Sequence, residues 1–179
     1  MKKIVIIPDS FKGTISSQEA GRIIEEEAKK RWPDVETVRM EIADGGEGSV
    51  DAFLSVLDGE KKQVKVRGPY GDQVESFYGK IKETAVIEMA AAAGLPLAGE
   101  HLNAGEATTY GVGELILDAL QGGVKKIILG LGGSATNEGG AGALAALGVK
   151  FLNERKNLFR LGILYIVLKK LICQSLTNE

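Results

Sequence analysis

Apolar positions along the chain change period several times, and each change marks an element. Ile4-Val5-Ile6-Ile7 is a short, β-branched apolar run cut off by Pro8 and Asp9, which predicts a first strand. A polar loop follows, and Ser16-Ser17-Gln18-Glu19 offers a capping box for a helix. Ala20, Ile23, Ile24, Glu27 and Ala28 then fall at helical spacing as one mostly apolar stripe, until Trp32-Pro33 ends the run because proline cannot continue it. Val38, Met40 and Ile42 alternate with charged neighbours as a second strand would, and a helical stretch is expected from about 49 to 57.

After the Asp58-Gly59 turn signal, Val64 and Val66, then residues 74 to 81, read as two strands joined by Gly68-Pro69-Tyr70-Gly71. Residues 85 to 89 predict a further short strand, and the small residues 90 to 94 a closely packed loop. Thr108 or Thr109 can cap a helix whose apolar face is Val112, Leu115, Ile116, Ala119 and Leu120, and Gly122-Gly123 suits its left-handed end. Residues 125 to 131 predict another strand, a long glycine-rich segment follows, and a small-residue helix runs through Leu147. Residues 149 to 152 read as the next strand.

Strands alternating with helices predict an α/β protein with a largely parallel sheet, into which residues 64 to 104 insert hairpins. The expected organisation is a Rossmann-like lobe begun by residues 1–63, a second mixed α/β lobe begun by 64–154, and a tail at 155–179. At 179 residues and 44% hydrophobic, the chain can bury a sizeable core without disulfides or structural metal. Its net charge of -2, with both signs well mixed, offers no basic field for nucleic acid, and the N-terminus is too quickly broken for a signal peptide. No membrane is expected as a partner, since the apolar run near the C-terminus is too short to span one. A single cysteine, Cys173, excludes an internal disulfide and fits a cytoplasmic setting, and the lone His101 reads as a solvated surface residue.

Three segments could carry chemistry. Residues 132 to 142, Gly132-Gly133-Ser134-Ala135-Thr136-Asn137-Glu138-Gly139-Gly140-Ala141-Gly142, stand between a strand and a helix. Such a loop can turn several backbone N–H groups and a helix N-terminus toward phosphate oxygens, with Ser134, Thr136 and Asn137 adding side-chain donors. The alternative is a tight connection whose glycines serve packing. No Walker sequence is present, but Gly130-Leu131-Gly132-Gly133-Ser134-Ala135 matches the dinucleotide pattern G-x-G-x-x-A, which keeps a nicotinamide-dependent oxidoreductase as an alternative. In Asp44-Gly45-Gly46-Glu47-Gly48 the carboxylates of Asp44 and Glu47 could hold Mg2+ or serve as helix-capping charges. At Pro8-Asp9-Ser10-Phe11-Lys12-Gly13, Asp9 could take a proton or bind metal and Lys12 could neutralise phosphate or carboxylate, unless both are solvated turn residues. The alanine run beside Glu88 reads as packing.

Taken in order, six motifs resemble the bacterial glycerate kinase family: residues 8–13 (PDSFKG), 43–48 (ADGGEG), 68–71 (GPYG), 87–90 (IEMA), 107–114 (ATTYGVGE) and 130–140 (GLGGSATNEGG). The resemblance covers residues 1 to about 154. It implies ATP- and Mg2+-dependent phosphorylation of D-glycerate in a two-domain α/β enzyme. On that basis Asp9, Lys12 and Asp44 become candidate catalytic residues, Asp44 and Glu47 candidate magnesium ligands, and Gly132, Gly133, Ser134, Ala135, Thr136, Asn137, Gly139 and Gly140 the candidate nucleotide loop. The alternative is a module that binds nucleotide or phosphate without transfer.

Members of the family are roughly twice this long. After Asn153-Glu154 the chain becomes rich in lysine, leucine and isoleucine, which suggests a shifted reading frame or truncated product with weak or no activity. A competing reading makes 158 to 172 a helix with a leucine stripe that docks on a partner. An incomplete sheet would also expose apolar surface for self-association.

Overall fold

The structure, a computed structural model, describes residues 2–11, 14–152 and 171–172. Lys12 and the proposed helix at 158 to 172, apart from Leu171 and Ile172, lie outside the described residues. The chain forms two compact units, Met1–Asp44 and Gly45–Glu179.

The first unit is a βαβ arrangement of β1 (Lys3–Ile6), α1 (Ser17–Arg31) and β2 (Glu36–Arg39), with the strands parallel and Val5 beside Val38. Ser16 caps α1 by accepting the Glu19 N–H at 3.1 Å. Only half of the capping box forms, because the Glu19 carboxylate turns to Arg22 instead. Trp32 N–H closes the helix on the Ala28 carbonyl at 2.9 Å, just ahead of Pro33. The β2 strand stops at Arg39, short of the predicted Ile42, where its partner β1 runs out at Ile6. Glu25 ties α1 to β2: it receives Lys29 Nζ at 2.8 Å, the Thr37 hydroxyl, and Arg39 Nε at 2.9 Å. The Lys29 hydrogen bond foremost, then that of Thr37, holds the Glu25 carboxyl below its ordinary range.

The second unit begins with α2 (Ser49–Val56) and builds a four-stranded sheet from β3 (Glu60–Arg67), β4 (Gln73–Ile81), β5 (Thr84–Glu88) and β6 (Lys126–Gly130). Its order is β3-β4-β5-β6. The first two pairings are antiparallel and only β5–β6 is parallel, so the sheet of this unit is mixed, as the inserted hairpins lead one to expect. Hairpin turns at 68–72 and 82–83 force the antiparallel pairs, whereas β5 reaches β6 through the crossover helices α3 (Ala90–Ala93), α4 (Leu95–Ala98) and α5 (Tyr110–Gln121). The stretch expected as a loop at 90 to 94 is thus one short helical turn. Beyond β6 lie α6 (Ala141–Ala146) and the pair β7 (Lys150–Phe151) and β8 (Leu171–Ile172).

The core sits between the sheet and α5. Val66, Tyr78, Ala85 and Ile87 meet Ala92, Ala93, Val112, Leu115, Ala119 and Val124. The α5 stripe read from the sequence holds except at Leu120, which is exposed. A Cβ on Gly111 would lie 1.9 Å from the Arg67 carbonyl oxygen, so only glycine lets the first turn of α5 cross the end of β3. Tyr78 donates its hydroxyl to Asp118 at 3.0 Å, and burial, reinforced by that carboxylate, pushes the phenol up to about 12. The α2 helix belongs to this unit: Val50 is fully buried, and a Cβ on Gly79 would meet its side chain at 3.1 Å. The second compact unit thus begins at Gly45 and includes α2. Among the described residues, no helix is long and apolar enough to cross a membrane.

Candidate functional site

Two glycine segments far apart in sequence meet backbone to backbone in the second unit. Gly45, at φ +89°, accepts the Gly132 N–H at 2.9 Å. A Cβ on Gly130 would lie 2.3 Å from Gly45 O, and one on Gly132 would lie 2.7 Å from Gly46 N. Side chains at either position would drive the segments apart. Residues 45–48 and the motif at 130–140 are therefore parts of one construction at the carboxyl ends of β5 and β6, where α/β sheets commonly present ligands.

The loop is then tied down at successive points. Leu95 N–H donates to Gly133 O at 3.1 Å, and Ala135 N–H to Ala93 O at 2.9 Å. Ser134 Oγ lies 2.8 Å from Thr136 Oγ1 and accepts the Thr136 N–H at 3.1 Å. The N–H groups of Gly132, Ala135 and Thr136 are thus engaged inside the protein. Gly139 and Gly140 take positive φ, and Gly140 begins α6.

Between them and the Ser134–Thr136 turn sits a residue that pattern reading passed over. Glu138 is only 1% exposed, while its neighbours Asn137 and Gly139 are exposed. Its Oε1 accepts Thr109 N–H at 2.7 Å, Gly142 N–H at 2.8 Å and the Thr109 hydroxyl, and its Oε2 lies 3.3 Å from the Thr108 hydroxyl. Thr109 caps α5 without a side-chain bond to that helix, because its hydroxyl is turned to Glu138 and to Ala143 N–H at 2.9 Å. The start of α6, expected to face phosphate, is occupied by this carboxylate. The dinucleotide pattern fares no better: that fingerprint opens a helix within the motif, whereas Ala135 lies in the loop well before α6.

On the other side of the glycine contact, Glu88 holds the turn at 48 to 50. It is 2% exposed and accepts Val50 N–H at 2.6 Å and the Gly48 N–H, so the start of α2 is capped from β5. Burial raises its carboxyl above the ordinary value, against the lowering effect of those two hydrogen bonds. An acid raised on folding holds its proton more tightly in the folded state. Its ionisation therefore costs stability as pH climbs through the ordinary range to the folded value, and the cost is absent below that window. Glu88→Gln keeps an acceptor for Val50 without the charge. Urea midpoints of both proteins at pH 4.5 and pH 8 should show the variant gaining on the native chain at the higher pH. A gap independent of pH would contradict the assignment.

A lone acid inside a run of small residues is the signal that could have found both Glu88 and Glu138. Such residues have little exposed surface on which to solvate a charge, so the carboxylate must be satisfied by backbone donors.

The remaining predicted residues are less assembled. Asp44 and Glu47 are both exposed, Asp44 closing the first unit and Glu47 lying in the second. Among the described residues, no three His, Cys, Asp or Glu side chains gather as a metal site. Asp9 is exposed and accepts the N–H of its neighbour Ser10 at 2.7 Å. The motifs at 68–71 and 107–114 support one another: Thr108 N–H donates to Pro69 O at 2.8 Å, and Arg67 N–H to Glu114 at 2.7 Å. His101 is exposed, with Nε2 3.1 Å from Glu106, as a surface histidine should be.

The chain is similar to known proteins. A Halalkalibacterium halodurans protein named glycerate kinase is 49% identical over 157 residues, 86% of this chain and 41% of its own length. The Escherichia coli glycerate 2-kinase is 44% identical over 158 residues, 87% of this chain and 42% of its own. A Salmonella typhimurium LT2 crystal structure assigned to glycerate kinase 2 superposes with a TM-score of 0.74 at 43% identity, covering 90% of this chain and 44% of that one. The chain thus spans about two fifths of the length of the curated relatives it matches. Residues 4–170 match the Glycerate kinase family, and the chain belongs to that family.

Proposed function

We propose that this chain supplies the nucleotide-phosphate-binding part of an ATP-dependent kinase that phosphorylates D-glycerate. The observation that carries the reading is the loop at 131–140. Backbone bonds to Gly45 and Ala93, together with Glu138, hold it, and they leave Ser134, Thr136 and the exposed Asn137 as polar groups along its length. Phosphoryl transfer asks chiefly for positioning and for donors that match charge on phosphate oxygens, and a loop fixed before the ligand arrives meets that need with little reorganisation. Gly133, Gly139 and Gly140 bring its backbone close to a ligand, and the paired hydroxyls of Ser134 and Thr136 add one further donor, since the other hydrogen is used between them.

Asp44 and Glu47 are assigned to an Mg2+ that arrives with the nucleotide on residue type, on their spacing in the sequence and on the family resemblance. Asp44 and Glu47 are exposed hard-oxygen donors in a glycine-rich turn, and magnesium is commonly held by one or two carboxylates together with phosphates and water. Bound there, the ion would supply charge neutralisation at the phosphates. Asp9 as acceptor of the glycerate hydroxyl proton, and Lys12 as a cation for phosphate or the glycerate carboxylate, are roles that rest on residue type and on the family resemblance. The cytoplasmic setting is proposed on the same footing, from the single cysteine.

Calorimetric titration of the purified chain with ATP and Mg2+, beside NADH, tests the reading, followed by a coupled assay of ADP release with D-glycerate. ATP binding without NADH binding is expected. Glycerate-dependent ADP release would place catalysis in this chain as well, and binding without turnover would assign it the nucleotide alone. Failure to bind ATP would sink the proposal.

A further inference from the structure

Glu138 offers the chain a negative charge where the glycine loop would otherwise present backbone donors. Four donor groups converge on it: the N–H of Thr109, the N–H of Gly142 and the hydroxyls of Thr108 and Thr109. It is nearly inaccessible, yet the residues on either side of it are exposed. The loop must therefore turn its chain inward for one residue and outward for the next. Nothing in that geometry lets Glu138 reach a ligand, and everything in it fixes where Asn137 and Gly139 stand.

We infer that Glu138 is the positioning residue of the glycine loop: an internal carboxylate that joins the starts of α5 and α6 and directs a ligand phosphate to the outer side of the loop, at Asn137 and Gly139. The inference rests on the loop being the phosphate site. Charge-assisted hydrogen bonds from two backbone N–H groups are stronger than neutral ones, and removing their acceptor leaves buried donors unmatched. The closeness of packing leaves no substitute, since a Cβ on Gly142 would lie 2.6 Å from Glu138 Oε1 and 2.2 Å from the Thr108 hydroxyl. Gln at this position keeps an oxygen for the same three Oε1 donors and places an N–H2 opposite Thr108, which can accept. Ala keeps nothing.

The test compares Glu138→Ala, Glu138→Gln and Leu115→Ala in the full chain, the last being a core truncation in α5 that touches none of the loop contacts described. ATP affinity with Mg2+ is measured at 10 °C, where all three are confirmed folded by circular dichroism, and hydrogen exchange is followed for a peptide spanning 131–140. The expected result is at least tenfold weaker ATP binding in Glu138→Ala, with Glu138→Gln and Leu115→Ala within threefold of the native chain. Exchange in the 131–140 peptide should be at least tenfold faster in Glu138→Ala than in the other two. Equal ATP affinity in Glu138→Ala and Leu115→Ala would overturn the inference. If the native chain binds no ATP, the phosphate reading fails, and exchange alone decides the positioning role: selective acceleration in Glu138→Ala keeps it, and equal rates in all three variants remove it.

Discussion

Gly130→Ala should lower the unfolding free energy by about 3 kcal/mol, the upper part of the range for overpacking a well-filled site. The added methyl would stand 2.3 Å from Gly45 O and 3.0 Å from Gly45 C, so it meets backbone on the opposite segment rather than a side chain that can swing away. Relief requires moving the Gly45–Gly48 turn, which Glu88 pins through Val50, or moving Gly130 itself, whose carbonyl accepts Met89 N–H at 2.9 Å. Gly139→Ala is the control. It adds the same methyl where nothing lies within 4 Å, at φ +65°, and should cost only about 1 kcal/mol of backbone strain. Urea midpoints at unchanged m-value would give the comparison. Equal losses in the two variants would mean that the glycine segments do not abut as described.

Leu115→Ala should cost about 3 to 4 kcal/mol, as for other fully buried leucines whose surroundings cannot collapse. Leu115 has no exposed surface and lies at the centre of α5, between the sheet residues Val66 and Ile87 and the next turn at Ala119. Most of its neighbours are small or β-branched and have little freedom to fill the space. Leu120, one turn on and 42% exposed, buries much less apolar area, and its truncation should cost less than about 1 kcal/mol. Chemical denaturation of both variants measures the difference. A loss below 1 kcal/mol at Leu115 would show that the face of α5 is misassigned.

The sequence disclosed the elements better than their company. Strand and helix positions followed from period because local burial follows period: Val112, Leu115 and Ala119 are buried on the face they define. The amphipathic pattern of α2 says that the helix packs without saying on which sheet, and Val50 lies by Gly79 of β4. The glycine segment was legible as a loop, but its N–H groups were assigned outward when those of Gly132, Ala135, Thr136 and Gly142 are used inward. That choice depends on Gly45, Ala93 and Ser134 being nearby, and spacing along the chain does not carry it. Glu138 and Glu88 were passed over for a related reason. A buried carboxylate is unfavourable without donors, and the Thr109 and Val50 N–H groups that serve these two come from helix starts remote in sequence.

The pairing of β5 with β6 also sets a timetable. The β3–β4 and β4–β5 hairpins close over short turns, whereas Thr84 must find Lys126 across the whole crossover. Short closures are fast and long ones slow, because the entropy of the intervening chain must be lost before the contact is gained. The glycine loop hangs from the end of β6, so its contacts with Gly45 and Ala93 have no scaffold until that late pairing is made. Stopped-flow refolding should therefore show hairpin structure in an early phase and ligand competence only in the last one. Simultaneous recovery of both would contradict the sequence of events. The part of the molecule proposed to meet nucleotide would then be the last to mature on every folding passage, and the first to be exposed to proteases if the pairing stalls.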